Sequence, residues 1–520
     1  MSTVAVHAEK DPDRVAIITG NGDSVETFGE LELRSRRLAQ LLRDRGVVRG
    51  GCVAALVENT DPCFHDLYWA CQRTGLYFTP VNWHLQENEV QYIVDNSDAD
   101  ALFASRRFAE LAARVAPKCP KLRLRVATGG AIEGFQTLEE ALADVPADPT
   151  LDDQREGSLM IYSSGTTGLP KGVRRPLPDV PAGDSSVALF TQGFMGLFGI
   201  GSDDRYLCPA PLYHAAPIAF TTAHTRLGAS VVVLPRFDPE LVLRAIQDQK
   251  VTSSQWVPTH FRRLLQLPEE VRRHYDVSSL RVAVHAAAPC PIPVKQAMIE
   301  WWGDAIVEYY AGTEGGGTVI RAKEWLRKPG SVGRHWAGGK VFILDEERNE
   351  VTRPNVEGGI YFEAPAAGRF SYYKDDAKTE KTYRGNLFTI GDIGYLDEEG
   401  YLFLTDRQSN MIISGGVNIY PQETENHLIV HPKVDDVAVI GVPNDEMGEE
   451  VKAVVIPAPG AVPGTELERE LIEHCRAGIA NYKCPRSIDF VDELPRTETG
   501  KMAKRKLRDR YWEGHAGHLV

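Results

Sequence analysis

The sequence predicts an α/β protein: a large N-terminal domain of doubly wound, mostly parallel sheets, followed by a small α+β C-terminal domain. A chain of 520 residues is too long for one compact core, so at least two domains are expected. Over the first half, short apolar runs alternate with amphipathic helical patterns, the order that builds a parallel sheet covered by helices. After about Asp406 the elements become shorter and more charged, which marks a separate unit of roughly one hundred residues.

The individual elements follow from local patterns. Arg14–Thr19 (RVAIIT) and Cys52–Val57 (CVAALV) read as buried strands. Between them Thr27 and Glu30 form a capping box ahead of Leu31, Leu38, Leu41 and Leu42 on one helix face, and Gly46 ends that helix. Phe64, Leu67, Tyr68 and Cys71 repeat the helical spacing before Gly75. Beyond Asp406 a helix is expected near Gln422–Ile429, strands at Val437–Val442 and Val451–Ile456, and a second helix over Glu466–Ile479. The expected division is residues 1–406, a connector at 407–409, and residues 410–520.

Composition narrows the function class. Hydrophobic residues make up 43% and charged residues 25%, an ordinary globular balance. The formal net charge of −14 opposes non-specific binding to nucleic acid. The basic run from Lys501 through Arg510 reads, Lys501 apart, as a solvated helix face. The eight cysteines form no CxxC pair, so neither a zinc site nor a redox dithiol is suggested, and free thiols fit a reducing cytoplasm. Met1–Asp11 lacks the pattern of a signal peptide, and no apolar run approaches the ~20 residues of a membrane span. A cytoplasmic protein is expected.

The most informative segment is Tyr162–Gly172, YSSGTTGLPKG, directly after the apolar Leu159–Ile161. Hydroxyls and bare backbone N–H groups suit phosphate oxygens, glycine allows close approach, and Lys171 adds a point charge. It is not a Walker A loop, because Lys171 follows Pro170 and precedes Gly172. A flexible Gly/Ser-rich surface turn is the bland alternative for such a composition. In order, these eleven residues resemble the signature loop of the adenylate-forming superfamily, which comprises acyl-CoA synthetases, aryl-CoA ligases, peptide-synthetase adenylation domains and firefly luciferase.

Four further segments resemble that family's motifs in the family's order, so the resemblance spans nearly the whole chain. They are Tyr309–Gly315 (YYAGTEG), Gly391–Gly400 with Thr405–Arg407 (GDIGYLDEEG and TDR), Met411–Tyr420 (MIISGGVNIY), and Pro495–Lys501 (PRTETGK). The resemblance implies that Ser163, Ser164, Gly165, Thr166, Thr167, Gly168 and Lys171 embrace the phosphates of ATP. It implies that Tyr310 stacks on adenine and Thr313 faces the α-phosphate, with Glu314 and Thr166 holding Mg²⁺. A carboxylate near a triphosphate repels it unless a divalent cation lies between, so Glu314 suits that place. Asp392 and Arg407 are implied as ribose ligands, Gly415 and Gly416 as lining for the pantetheine of coenzyme A, and Lys501 as the catalytic lysine. Taken alone, each has a plainer reading: a surface acid, a turn residue, a hairpin glycine pair, a solvated lysine.

The implied reaction joins a carboxylic acid to CoA through an acyl-adenylate, with a mobile C-terminal domain turning between the two steps. Mg²⁺, Lys171 and Lys501 would neutralise charge at the α-phosphate, and a carboxylate ionised at pH 7 needs no general base. Ser409 occupies the family's hinge position, where Asp or Lys is usual. The acyl pocket is expected from His214–Phe220, Gln255–Thr259, Ala286–Pro289 and Tyr310–Gly317, with His214, Ala287, Ala311 and Gly312 against the substrate and Trp256 able to narrow it. His214 alone could equally be a core histidine. These segments carry no Lys or Arg, which favours an apolar medium- or long-chain, aryl or sterol side-chain acid. Expected partners are that acid, ATP and CoA, with no nucleic acid and a homodimer as the assembly to test. A ligase that loads a carrier protein, a luciferase-like oxidising enzyme and a non-catalytic nucleotide sensor remain the alternatives.

Overall fold

The computed structural model describes residues 3–163, 170–336, 338–364, 369–407, 410–414, 417–444, 446–496 and 502–513. Among them the strands form three sheets, of fourteen, eight and five strands. The helix predicted from Thr27 runs over Phe28–Asp44 with both halves of the capping box made, Glu30 N to Thr27 Oγ1 at 3.2 Å and Thr27 N to Glu30 Oε2 at 2.8 Å. It stops where Gly46 takes φ +74°. The next helix, Cys63–Thr74, ends likewise at Gly75 with φ +69°.

The eight-stranded sheet is parallel through Ser158–Ser163, Tyr77–Pro80, Cys52–Leu56, Ala99–Ser105, Leu124–Thr128 and Gln136–Thr137. The fourteen-stranded sheet is parallel through Val15–Thr19, Ser230–Val233, Arg205–Cys208, Ser253–Trp256, Val282–His285 and Ile306–Gly312. Alternate residues of its strands enter different cores. Tyr206, Val284 and Val307 join the core shared with the first sheet, whereas Leu207, Ala283 and Ile306 join a second core beyond the other face. Burial on both faces explains why Val15–Thr19 (VAIIT) and Ser230–Val233 (SVVV) read as near-continuous apolar runs.

One expectation needs correction. The large sheet is not mostly parallel throughout, because from Gly315 onward its strands are antiparallel. The cause is the tight return from Gly312 to Gly315, which leaves no length for a crossover helix.

The five-stranded sheet lies within Ile412–Phe490, with the helices Pro421–Leu428, Thr465–Gly478 and Lys504–Trp512. Its central strands, Val434–Asn444 and Gly448–Pro457, are longer than the apolar runs that announce them. The protein is thus a mixed α/β fold with a large N-terminal sheet domain and a smaller C-terminal one. No helix among the described residues is long and apolar enough to cross a membrane.

Candidate active site

The segment predicted to bind phosphate caps a hairpin at the edge of the parallel sheet. Ser158–Ser163 runs out and Lys171–Arg174 returns, with Ser163 opposite Lys171. Ser164, Gly165, Thr166, Thr167 and Gly168 lie outside the described residues. The hairpin's base is clamped: Tyr162 donates to Asn96 Oδ1 at 2.7 Å, and the Arg174 guanidinium stacks on Tyr77 and Tyr373 at 4.0 and 4.6 Å. Partial burial pulls the Lys171 ammonium below its ordinary pKa, while Asp375 and Glu314 push it back up, so Lys171 lies within electrostatic reach of both carboxylates.

Thr313 and Glu314 form the turn between Ile306–Gly312 and Gly315–Arg321. The Tyr372 hydroxyl donates to Glu314 Oε1 at 2.8 Å, and the Arg175 guanidinium donates to the Glu314 carbonyl at 2.6 Å. Burial, then the Glu314 charge, raises the Tyr372 phenol, which stays a neutral donor. Neither Tyr372 nor Arg175 was predicted. The carboxylate is therefore oriented with one oxygen engaged. No group of three or more His, Cys, Asp or Glu among the described residues could hold a metal by itself. A single oriented carboxylate is nonetheless the donor set expected of Mg²⁺ that completes its shell with substrate phosphates and water, so the residues fit that ion.

Gly316 and Gly317, at φ +74° and +154°, form the floor behind this turn. A Cβ on Gly316 would stand 2.5 Å from the Phe362 ring, and one on Gly317 would stand 2.1 Å from the Trp336 ring. Both positions require glycine.

The two residues implied for adenine and ribose are one bonded unit. The Tyr310 hydroxyl donates to Asp392 Oδ2 at 2.7 Å, and Asp392 faces Arg407 across the antiparallel ladder. Tyr310 and Asp392 come from different strands of the same sheet, Ile306–Gly312 and Leu387–Leu396.

The expected pocket segments follow the C-terminal ends of four parallel strands, where ligands of such sheets bind. His214 precedes the helix Ala215–Leu227, its ring 4.4 Å from that of Tyr213. Ala287 takes φ +79°, a conformation rare for a residue with a Cβ, and is exposed. Ala311 and Gly312 end their strand half-buried. Trp256 departs from expectation: it points into the second core, 5.3 Å from Trp302, and does not narrow the pocket. Its neighbour Gln255 lies on the opposite face of the strand and is also buried, because side chains alternate along the strand.

Lys501, Gly415, Gly416 and the connector residues 408–409 lie outside the described residues. Their surroundings are ordered around two carboxylates. Ser414 faces Val417 across the Gly415–Gly416 hairpin, and Arg496 bridges to Met502 across the segment that carries Lys501. Asp436 holds Arg496 at 2.7 Å and stands 3.7 Å from Arg262, which also pairs with Asp435 at 2.5 Å, so a residue of the large domain reaches the base of the lysine segment. Asp406 accepts from Asn410 Nδ2 at 3.1 Å and from Gln422 N at 2.8 Å, joining the strand Leu402–Arg407 to the helix Pro421–Leu428.

Comparison with known proteins agrees with this arrangement. Residues 4–372 match the AMP-binding enzyme family, and residues 423–501 match the AMP-binding enzyme C-terminal domain. The chain is 34% identical to a feruloyl-CoA synthase of Amycolatopsis sp, over 94% of this chain and 95% of that one. It is 30% identical to a long-chain-fatty-acid–CoA ligase of Mycobacterium tuberculosis, over 97% of each. Among solved structures, an anthranilate CoA ligase in complex with anthranoyl-AMP superposes with a TM-score of 0.84 at 27% identity, covering 98% of this chain and 97% of that one. The chain belongs to the AMP-binding enzyme family, with both its large N-terminal domain and its smaller C-terminal domain.

Proposed function

We propose that the protein is an AMP-forming acyl-CoA synthetase, converting a carboxylic acid, ATP and coenzyme A to acyl-CoA, AMP and diphosphate through an acyl-adenylate. The observation that carries this reading is the convergence of Lys171, Glu314, Tyr310 and Asp392, from separate stretches of chain, on one end of the sheets. CoA ligases of differing substrates among the relatives support the same reaction.

In this reading the segment from Ser163 to Lys171 cradles the β- and γ-phosphates, and Thr313 faces the α-phosphate. Tyr310 stacks on adenine while its hydroxyl holds Asp392 in place for the ribose, with Arg407 beside it. Glu314, oriented by Tyr372, and Thr166 would hold Mg²⁺, which supplies positive charge between carboxylate and phosphates. The acid, lying against His214, Ala287, Ala311 and Gly312, attacks the α-phosphorus with a carboxylate oxygen. One P–O bond forms and the bond to diphosphate breaks, with Lys171 and Lys501 facing the developing charge. The CoA sulfur then attacks the carbonyl carbon, the thiol proton leaves to solvent, and the C–O bond to AMP breaks. We set the domain boundary at Asp406, with 407–409 as the connector about which residues 410–520 turn, withdrawing Lys501 and presenting Gly415 and Gly416 to the thiol. The acid belongs to the apolar medium- or long-chain, aryl or sterol side-chain classes, and the protein works in the cytoplasm.

A panel of acids, from acetate through hexanoate and dodecanoate to cinnamates and a sterol side-chain acid, tests this with ATP, Mg²⁺ and CoA. AMP, diphosphate and an acyl-CoA are expected in equal amounts, with acetate poor, since each buried CH₂ contributes about 0.8 kcal/mol. Formation of ADP and phosphate would overturn the reading, and acetate preferred over all longer acids would overturn the substrate class.

A further inference from the structure

Away from the connector, the large domain meets the C-terminal one at an ion network whose role the chemistry above leaves open. Arg262 lies in the helix Pro258–Leu265, which starts one residue beyond the strand Ser253–Trp256, at the ligand-binding end of the large sheet. Phe261 and Leu264, both 0% exposed, bury one face of that helix in the second core and fix it to the sheet. Arg262 is only partly covered there, and it reaches Asp435 and Asp436 of the C-terminal domain.

A break in strand register lets one arginine hold both aspartates. Adjacent residues of a regular strand point to opposite faces, which would send one of the two away. Here Val434 pairs with Pro457 and Asp436 with Ile456, so Asp435 is the extra residue of a bulge. With Asp435 outside the ladder, its carbonyl accepts from the Arg262 guanidinium, which also donates to Asp435 Oδ1 at 2.5 Å. The other terminal nitrogen of Arg262 stands 3.7 Å from Asp436 Oδ1. Asp436 in turn receives a fork of bonds from Arg496, at 2.7, 2.8 and 3.1 Å. Arg496 is bridged to Met502, so both ends of the segment that carries Lys501 rest on this balanced set of two arginines and two aspartates.

Exposure separates this network from the buried pairs of the fold. The side chains of Arg262 and Asp435 are 27% and 36% exposed, so water can replace either partner and the pair can open without stranding a dry charge. Arg226 and Glu156, 5% and 3% exposed, have no such exit. We propose that Arg262 is a positioning residue for adenylate formation: it latches the C-terminal domain to the large domain through Asp435 and Asp436, and it lets go before thioester formation. The inference rests on the synthetase reading above and on its turning domain. Arg262 acts through the lysine segment that the network steadies, not on the substrate.

The test follows each half-reaction alone, using the acid of the panel above that the wild-type protein converts fastest. Diphosphate release in a single turnover without CoA reads the first, and thioester formation from that acid's chemically prepared adenylate reads the second. Arg262→Gln is expected to slow the first roughly tenfold, as loss of charge-assisted bonds does, and to leave the second as fast as wild type or faster. Asp435→Asn should shift the two rates the same way by a smaller factor, because the carbonyl contact stays, and it keeps the test decisive if the Arg262 variant misfolds. Raising salt to about 0.5 M should slow adenylation more in wild type than in Arg262→Gln, since a half-exposed pair is screened. In a Lys501→Ala background, Arg262→Gln should slow adenylation by less than about twofold further, because a latch that acts through the lysine has nothing left to position. A full additional loss in that background would overturn the proposal. Equal slowing of both half-reactions, a loss confined to thioester formation, or adenylation at the wild-type rate would do the same. All of these leave acyl-CoA formation by the wild-type protein intact, whereas no adenylate from any acid would overturn the synthetase reading itself.

Discussion

Replacing Lys501 with alanine is expected to slow acyl-adenylate formation on the order of 10²–10³-fold, while thioester formation from chemically supplied acyl-adenylate stays nearly unchanged. Charge builds at the α-phosphorus in the first half-reaction; in the second it builds on the departing AMP, but in the proposed cycle the turn of residues 410–520 has by then withdrawn Lys501, so the lysine has no part in that step. The asymmetry requires the lysine segment to be anchored firmly enough to deliver one charge to one place. Arg496, at the base of that segment, pairs with Asp436 at 2.7 Å, and Asp436 in turn neighbours Arg262 of the large domain at 3.7 Å. Single-turnover measurement of each half-reaction reads the two effects separately. Equal damage to both would make Lys501 a structural residue.

The second large effect is on stability. Lys295 and Glu308 form an ion pair with side chains 1% and 7% exposed, the ammonium 4.7 Å from the Trp325 ring centre and His285 Nε2 4.0 Å from the carboxylate. Lys295→Met leaves a buried carboxylate without its counter-charge, which is expected to cost about 3–5 kcal/mol. Protonation limits that loss. Burial already raises the Glu308 pKa, and keeping a carboxyl of ordinary pKa near 4.3 neutral at pH 7 costs about 3.7 kcal/mol. The sign with pH follows: in the variant the folded-state pKa lies above the unfolded one, so its deficit against wild type shrinks as pH falls from 7 towards 4.3. His285 loses the opposing Lys295 charge in the variant, but complete burial, the larger cause of its lowered pKa, still holds it neutral at pH 7. Replacing both partners, Lys295→Met with Glu308→Leu, should restore most of the loss. Denaturant unfolding of the single and double variants at pH 7 and pH 5.5 checks this, and a single variant as stable as wild type at both would contradict it.

Much of the fold is legible because local signals and packing agree. The capping box of Thr27 and Glu30 specifies a helix start without tertiary help, and Gly75 ends its helix by the left-handed φ it alone adopts cheaply. Strand lengths are less legible. Val434–Asn444 pairs with Gly448–Pro457 along its length, so cross-strand bonding carries polar residues such as Asp436 and Glu450 into the ladder that hydropathy would leave outside. In the site, contiguous motifs carry Lys171, Glu314, Tyr310 and Asp392. Tyr372 and Arg175 carry no such mark, because their pairing with Glu314 arises only when the sheet edge at Ser371–Tyr372 joins the hairpin at Lys171–Arg174. Trp256 and Gln255 show the narrowest margin: one step along a strand exchanges one buried face for the other, and sequence pattern alone cannot fix that step where both faces are buried.

The central claim is that the acid becomes an acyl-adenylate, and the fate of its own oxygen tests this most directly. With acid labelled by ¹⁸O in both carboxylate positions, attack on the α-phosphorus places one labelled oxygen between carbon and phosphorus, and the later break at carbon leaves that oxygen on AMP. Mass spectrometry of the products should find one ¹⁸O in AMP, one in the acyl-CoA carbonyl and none in diphosphate. Unlabelled AMP, or label in diphosphate or inorganic phosphate, would contradict the account.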